Sequence, residues 1–160
     1  MGIQIRQLPT AEREQTLPIL FAIFHSNMQK FDPWEESRWC AVISNALEDP
    51  RRIMLVATDE ESAEIVGFFM YACNGENFLM EEIQLIPRVQ GIGLFRAIYA
   101  EVLPRLPDTV VRVEAYAHKD NLHSQGILSH LGLSMLEGGA DQDIRHGRGD
   151  FQTFLQKFNS

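Results

Sequence analysis

One stretch constrains the fold of this chain more than any other: IQLIPRVQGIGLFRAIYAEVL, Ile83 to Leu103. An apolar run ends at Pro87, and a short polar turn leads to Gly91 and Gly93. Leu94, Ala97, Ile98 and Val102 then share one face of a helical pattern that Pro104 ends. The next apolar run, Val110 to Tyr116, reads as a strand. Strand, helix and strand with short connections imply a parallel pair joined by a right-handed crossover. Glycines between a strand and a helix leave backbone N–H groups uncovered, and the helix N-terminus adds partial positive charge. Such a turn suits a phosphate group.

The flanking segments build the rest of the sheet. IQIRQL, Ile3 to Leu8, alternates apolar and polar residues as a strand does. From Glu12 to Lys30, Leu17, Leu20, Phe21, Phe24 and Met28 recur at helical spacing, with Pro18 in the first turn or splitting the entry. Asp32 as cap, Pro33 at the first position and Glu35 completing a capping box open a second helix. Its face is Trp39, Val42, Ile43, Ala46 and Leu47, and Pro50 stops it. RIMLVAT (Arg52 to Thr58) and EIVGFFMYA (Glu64 to Ala72) read as an antiparallel hairpin around the acidic loop DEESA, which is read as solvated. Asn74-Gly75 marks the next turn, and FLMEEIQLI, Phe78 to Ile86, is the strand that enters the glycine turn. Later in the chain, a short helix runs from Asn121 to His130 and stops at Gly132. LSMLEG is a strand, the polar, glycine-rich stretch Gly138 to Gly149 reads as a loop, and DFQTFLQKF reads as a closing strand. The order is β-α-α-β-β-β-α-β-α-β-β, a mixed sheet with helices on both faces.

Composition narrows the function. A chain of 160 residues, 45% apolar and 22% charged, suits one soluble globular domain over 1–160. Its net charge of −8 argues against a general nucleic-acid binder and permits a cationic substrate such as an amine. Cys40 and Cys73 sit inside apolar patterns with no CxxC or Cys/His cluster, so no metal site or disulfide framework is expected. Reduced, buried thiols in a cytoplasmic protein fit that usage. MGIQIRQLPT has no apolar h-region, and Arg6 stands where a myristoylation signal has Ser or Thr. With no stretch of spanning length, the expectation is no targeting segment and no membrane partner.

Three phosphate-binding patterns compete for the glycine turn. GxxxxGK[ST] is absent. A dinucleotide fingerprint needs a third glycine where Arg96 stands, and needs the unit near the start of the fold rather than after a hairpin. The third pattern fits: IQLIPRVQGIGLFRAIY resembles the acetyl-CoA-binding motif of the GNAT superfamily of N-acetyltransferases, an apolar strand, a proline, [Q/R]xxGx[G/A] and a helix. Arg88-x-x-Gly91-x-Gly93 matches the letters fully. Gln90-x-x-Gly93-x-Phe95 places the proline and the helix better, and it is the register preferred here. YAHKDNLHSQGILSHLGL resembles the family's following motif, with Asn121, Ser124 and Leu131-Gly132-Leu133 in place.

The resemblance implies a single-domain α/β (α+β) GNAT-like fold. Its mixed, mostly antiparallel sheet would have a central splayed parallel strand pair. It implies acetyl-CoA as co-substrate, no metal, and direct attack of a primary amine on the thioester in a ternary complex. The backbone of Ile83, Gln84 and Leu85 would pair with pantetheine. Gln90 would begin the grip on the pyrophosphate, and the N–H groups of Gly91, Ile92, Gly93, Leu94, Phe95 and Arg96 would complete it. Asn121, with Ser124 beside it, would reach the cofactor or serve as an ordinary helix cap. For the general base, Glu81 and Glu82 lie on opposite faces of one strand, and Glu82 is preferred. The family's usual acid is a Tyr at the position that holds Leu128, which cannot donate a proton. Tyr116, His118 and His123 are the nearby alternatives, and Tyr116 is the candidate preferred. Phe24, His25, Phe31, Trp34 and the Gly138–Gly149 loop would line the side of the amine acceptor, a small molecule or a peptide. A homodimer is a further possibility by analogy with the family.

Overall fold

The computed structural model describes residues 2–31, 36–137 and 143–160. Asp32, Pro33, Trp34 and Glu35, and with them the capping box, lie outside the described residues, as do Gly138 to Gln142. The side chains of Trp39 and Val42 are likewise not described. The described elements are β1 (Ile3–Gln7), α1 (Arg13–Met28), α2 (Glu36–Glu48), β2 (Arg52–Asp59), β3 (Ile65–Asn74) and β4 (Asn77–Leu85). They continue as α3 (Leu94–Val102), β5 (Arg112–His118), α4 (Leu122–His130), β6 (Ser134–Glu137), β7 (Ile144–Asp150) and α5 (Phe151–Phe158). The strands form one sheet in the order β1-β2-β3-β4-β5-β7-β6. It is mostly antiparallel, and β4 and β5 pair parallel from Asn77↔Arg112 to Met80↔Ala115.

The chain divides into two compact units, one of Met1–Tyr71 with Glu82–Arg105, the other of Ala72–Glu81 with Leu106–Ser160. In the first, Leu20, Ile23 and Phe24 of α1 pack with Ile43 and Leu47 of α2 on Met54, Val56, Phe68 and Met70. Arg13 is buried and donates to the carbonyls of Leu47 (2.8 Å), Asp49 (3.1 Å) and Arg52. One guanidinium thus serves the Leu47 carbonyl in the last turn of α2, which has no helical partner, and ties the end of that helix to the start of β2. Pro18 neither starts nor splits α1, which runs through it. Glu14 and Pro18 are both exposed, so water can serve the Glu14 carbonyl that the proline leaves without a donor.

In the second unit three elements differ from the sequence expectation. Residues 144–149, read as part of a loop, form strand β7 together with Asp150, paired with β5 over seven residues and with β6 over four. The glycines that suggested a loop serve close packing instead. A Cβ on Gly147 would lie 2.6 Å from the Met135 sulfur, and one on Gly149 would lie 2.9 Å from the Gly132 carbonyl oxygen. Residues 151–158, read as a strand, are helix α5. Phe151, Phe154 and Phe158 recur at helical spacing and are buried, and Asp150 caps the helix by accepting the Thr153 N–H at 2.9 Å. Phe78 meets Phe151 and Phe154 edge-on, at 6.4 and 6.5 Å between centroids. Strand β5 also lies two residues later than its apolar run suggested, which makes His118 its last residue.

Candidate functional site

The glycine turn is built in three steps. Ile86 donates its N–H to Val66 of β3 at 2.9 Å, and Pro87–Val89 form one 3-10 turn anchored by the buried Val89. Gln90 returns to extended backbone. Gly91 (φ 77°) and Gly93 (φ 85°) then adopt left-handed conformations, and Gly93 is the N-cap of α3. A Cβ at either glycine would meet nothing within 4 Å, so the positive φ, not lack of space, is what calls for glycine. The first helical bond runs from Ala97 N–H to the Gly93 carbonyl, at 3.1 Å. The N–H groups of Leu94, Phe95 and Arg96 therefore have no acceptor within the helix, and Gly93 offers no side-chain cap. Such donors, at the positive end of a helix dipole, suit an anion.

Side chains around the turn divide by role. Ile92 is 55% exposed although apolar, while Leu94 is buried. Phe95 is half-buried against Tyr99, with ring centroids 4.6 Å apart, and Tyr99 meets Phe69 at 5.1 Å. Burial pushes the Tyr99 phenol far above its usual range, so it stays neutral. Arg96 is exposed. Arg88 pairs with Asp59 (3.2 Å) and Glu64 (2.8 Å). Asp59 is buried and also accepts the N–H groups of Glu61 and Ser62. The Glu61 N–H first, then Ser62 and Arg88, hold its carboxyl below the usual carboxylate range against the opposing cost of burial. The acidic loop is therefore not only solvated: its first residue helps to anchor the arginine that precedes the glycine turn.

A chain of amides lies at the end of β4. Glu81 and Glu82 are half-buried, as are Ile83 and Leu85, while Gln84 is buried at 8% exposure. Gln84 Nε2 donates to Glu82 Oε1. Asn27, in the last turn of α1, donates from Nδ2 to Gln84 Oε1 and to the Leu85 carbonyl, each at 2.9 Å. Gln90 Nε2 donates to the same carbonyl at 2.9 Å. Strand β3 approaches closely here: a Cβ on Gly67 would lie 2.9 Å from the Gln84 carbonyl oxygen. Asn27 is absent from the sequence reading. Its signal was present, since it falls seven residues after Leu20 and three after Phe24, a polar residue on a core stripe.

The remaining candidates belong to the second unit or to the core. Tyr116 is 50% exposed and stacks on His146 at 4.6 Å. His146 Nε2 lies 3.2 Å from Glu114, which also faces Arg148 at 3.4 Å. His118 is buried, and its Nδ1 accepts the Asp120 N–H at 3.1 Å, which places the proton of the neutral ring on Nε2. His123 is exposed. Asn121 caps α4 by accepting the Ser124 N–H at 3.1 Å. Leu128 is buried at 8% exposure. Phe24 is fully buried in the core rather than lining a pocket. His25 lies against Phe21, and Lys30 sits over the ring of Phe31. Cys40 and Cys73 are free and only half-buried, and burial raises the Cys73 thiol. Among the described residues, no three His, Cys, Asp or Glu are placed to hold a metal ion. Among them, too, no helix is long and apolar enough to cross a membrane.

Compared by sequence, the chain matches no family model and no curated protein. Compared by structure, it matches acetyltransferases over nearly its whole length. A PaiA N-acetyltransferase from Thermoplasma acidophilum, in complex with coenzyme A, is similar with a TM-score of 0.67 at 12% identity, covering 94% of this chain and 99% of that one. A Desulfovibrio desulfuricans chain assigned to the GNAT acetyltransferase family gives 0.68 at 17% identity, covering 93% and 98%. A variant of the spermidine N-acetyltransferase SpeG from Vibrio cholerae gives 0.62 at 14% identity, covering 96% of each. The fold of this chain is that of the GNAT N-acetyltransferases.

Proposed function

We propose that the protein is an N-acetyltransferase that moves an acetyl group from acetyl-CoA to a primary amine. The observation that carries this reading is the left-handed pair Gly91 and Gly93 at the start of α3, after a proline-led turn from β4. The fold supports it, since structural neighbours include a coenzyme A complex and a spermidine N-acetyltransferase. In this reading the N–H groups from Gly91 to Arg96 bind the pyrophosphate, and the backbone of Ile83, Gln84 and Leu85 pairs with pantetheine. Asn121 and Ser124 are proposed cofactor contacts in addition to their capping bond. The acceptor amine must lose a proton before it attacks, because only the free base has a lone pair to give. Glu82 takes that proton, and Glu81 is the alternative base. A strand N–H stabilises the oxyanion. The thiolate leaves with a proton from water or from the half-exposed Tyr116. A negative surface draws the cationic acceptor from a cytoplasmic pool.

Free-thiol release from acetyl-CoA across a broad amine panel tests this activity. Glu82→Gln is expected to cut turnover to a small residual rate and to keep CoA binding; unchanged turnover removes Glu82 as base. One observation favours a second reading, a catalytically silent acyl-CoA sensor: the family's acid position is filled by Leu128, buried where no proton can be offered. Thiol release with any amine rules that reading out.

A further inference from the structure

The amide chain at the end of β4 has a fixed direction. The Leu85 carbonyl can only accept, so Asn27 must present its Nδ2 there. The same Nδ2 reaches Gln84, so Gln84 must present Oε1 to it. Gln84 is then left with Nε2 toward Glu82, whose ionised carboxylate can only accept. No amide in the series can flip without setting two acceptors or two donors against each other. Gln84 is buried, so water cannot repair such a clash at little cost. The series starts at a carbonyl that also holds Gln90, the residue that opens the glycine turn.

From this geometry we infer that Asn27 is a positioning residue, acting through the Gln84 side chain to aim the Glu82 carboxylate, and that it ties that carboxylate to the glycine turn through the Leu85 carbonyl. The inference rests on the reading of Glu82 as general base. Asn27 need not touch substrate: its part is to fix which way the Gln84 amide faces, and so to hold Glu82 Oε1 in place. Misplacement of a base by a fraction of its reach is enough to slow proton transfer severely.

A double-mutant cycle with the full chain, acetyl-CoA and the best amine of the panel tests the assignment. Asn27→Ala is expected to lower kcat about ten- to a hundredfold. In a Glu82→Gln background the same substitution should change kcat by less than about twofold, since its effect passes through Glu82. A structural role alone would leave the loss undiminished there, and that result overturns the inference while leaving Glu82 as base. If Glu82→Gln itself turns over normally, the base reading fails and the inference falls with it. A readout independent of any acceptor is the Gln84 side-chain NH2 pair in a 1H–15N spectrum of the free protein. Asn27→Ala should move it toward the position of a solvent-exposed glutamine, and an unmoved pair overturns the assignment even if no amine in the panel reacts.

Discussion

Replacing Gly93 by alanine separates what the turn needs for folding from what it needs for binding. Gly93 sits at φ 85°, and a Cβ there would meet nothing within 4 Å. No steric clash adds to the backbone term, so the expected loss of stability is that of one L-residue in the left-handed region, about 1–2 kcal/mol. Against a typical domain stability of about 5–15 kcal/mol, the variant stays folded at 25 °C. Binding should suffer more. The left-handed turn at Gly93 aims the N–H groups of the first turn of α3, and a relaxed alanine turns them away. Loss of two charge-assisted hydrogen bonds at about 1.5 kcal/mol each would remove about 3 kcal/mol. That corresponds to about a 150-fold weaker Kd for CoA. Urea unfolding followed by circular dichroism reads the first effect and calorimetric titration with CoA reads the second. Gly126→Ala is the control: that glycine lies inside α4, also with nothing within 4 Å of a Cβ, but without a positive φ. It should stabilise by about 0.5–1 kcal/mol and leave CoA binding unchanged. If Gly93→Ala loses stability as calculated yet binds CoA within about threefold of the parent, the turn does not hold the pyrophosphate and the reasoning is wrong.

Three further perturbations test the parts that support the site. Arg13→Met should cost about 3 kcal/mol in urea unfolding, since three carbonyls lose a charged donor; a loss under about 0.5 kcal/mol would show that water replaces it. Phe154→Ala should cost about 3–5 kcal/mol, because this fully buried ring packs against Phe78, Phe151 and Phe158. A surface-like loss, well under about 1 kcal/mol, would contradict the placement of α5. Asp59 has its folded-state carboxyl held below the usual range, so its contribution is present above the unfolded-state pKa, about 3.9, and is lost as pH falls through the lower folded value. Asp59→Asn should therefore flatten the acid side of the stability curve, measured as thermal midpoints from pH 6 down to about pH 2, and a curve that still falls in parallel with the parent's would refute this.

The strands and helices up to His118 were legible from local cues: alternation in Ile3–Gln7, continuous apolar runs in β2 and β3, a helical stripe in α1, and a proline and two glycines punctuating the entry to α3. The last twenty residues were misread because two local cues pointed the wrong way. Gly147 and Gly149 look like loop residues, but they lie in a strand that leaves no room for a Cβ beside Met135 and Gly132. Only the neighbouring elements reveal that. Phe151, Phe154 and Phe158 have helical spacing, yet a short aromatic-rich run also suits a strand, and the Asp150 cap is the cue that decides. The glycine turn was visible as letters, whereas the fixing of Gln84 by Asn27 was not. Those two residues stand 57 positions apart, and only the folded chain brings the amides together. Arg88 and Asp59 illustrate the same limit, because a loop's charge pattern does not say which cation it will meet.

The most direct test of the acyl-CoA reading is the protection that each cofactor gives against thermal unfolding. CoA titrated to about a hundred times its Kd should add about 2.7 kcal/mol of stability, with NAD and ATP at the same concentrations adding little. Gly93→Ala should shift the CoA titration to much higher concentration. Protection by NAD or ATP with none from CoA would contradict the account at its centre.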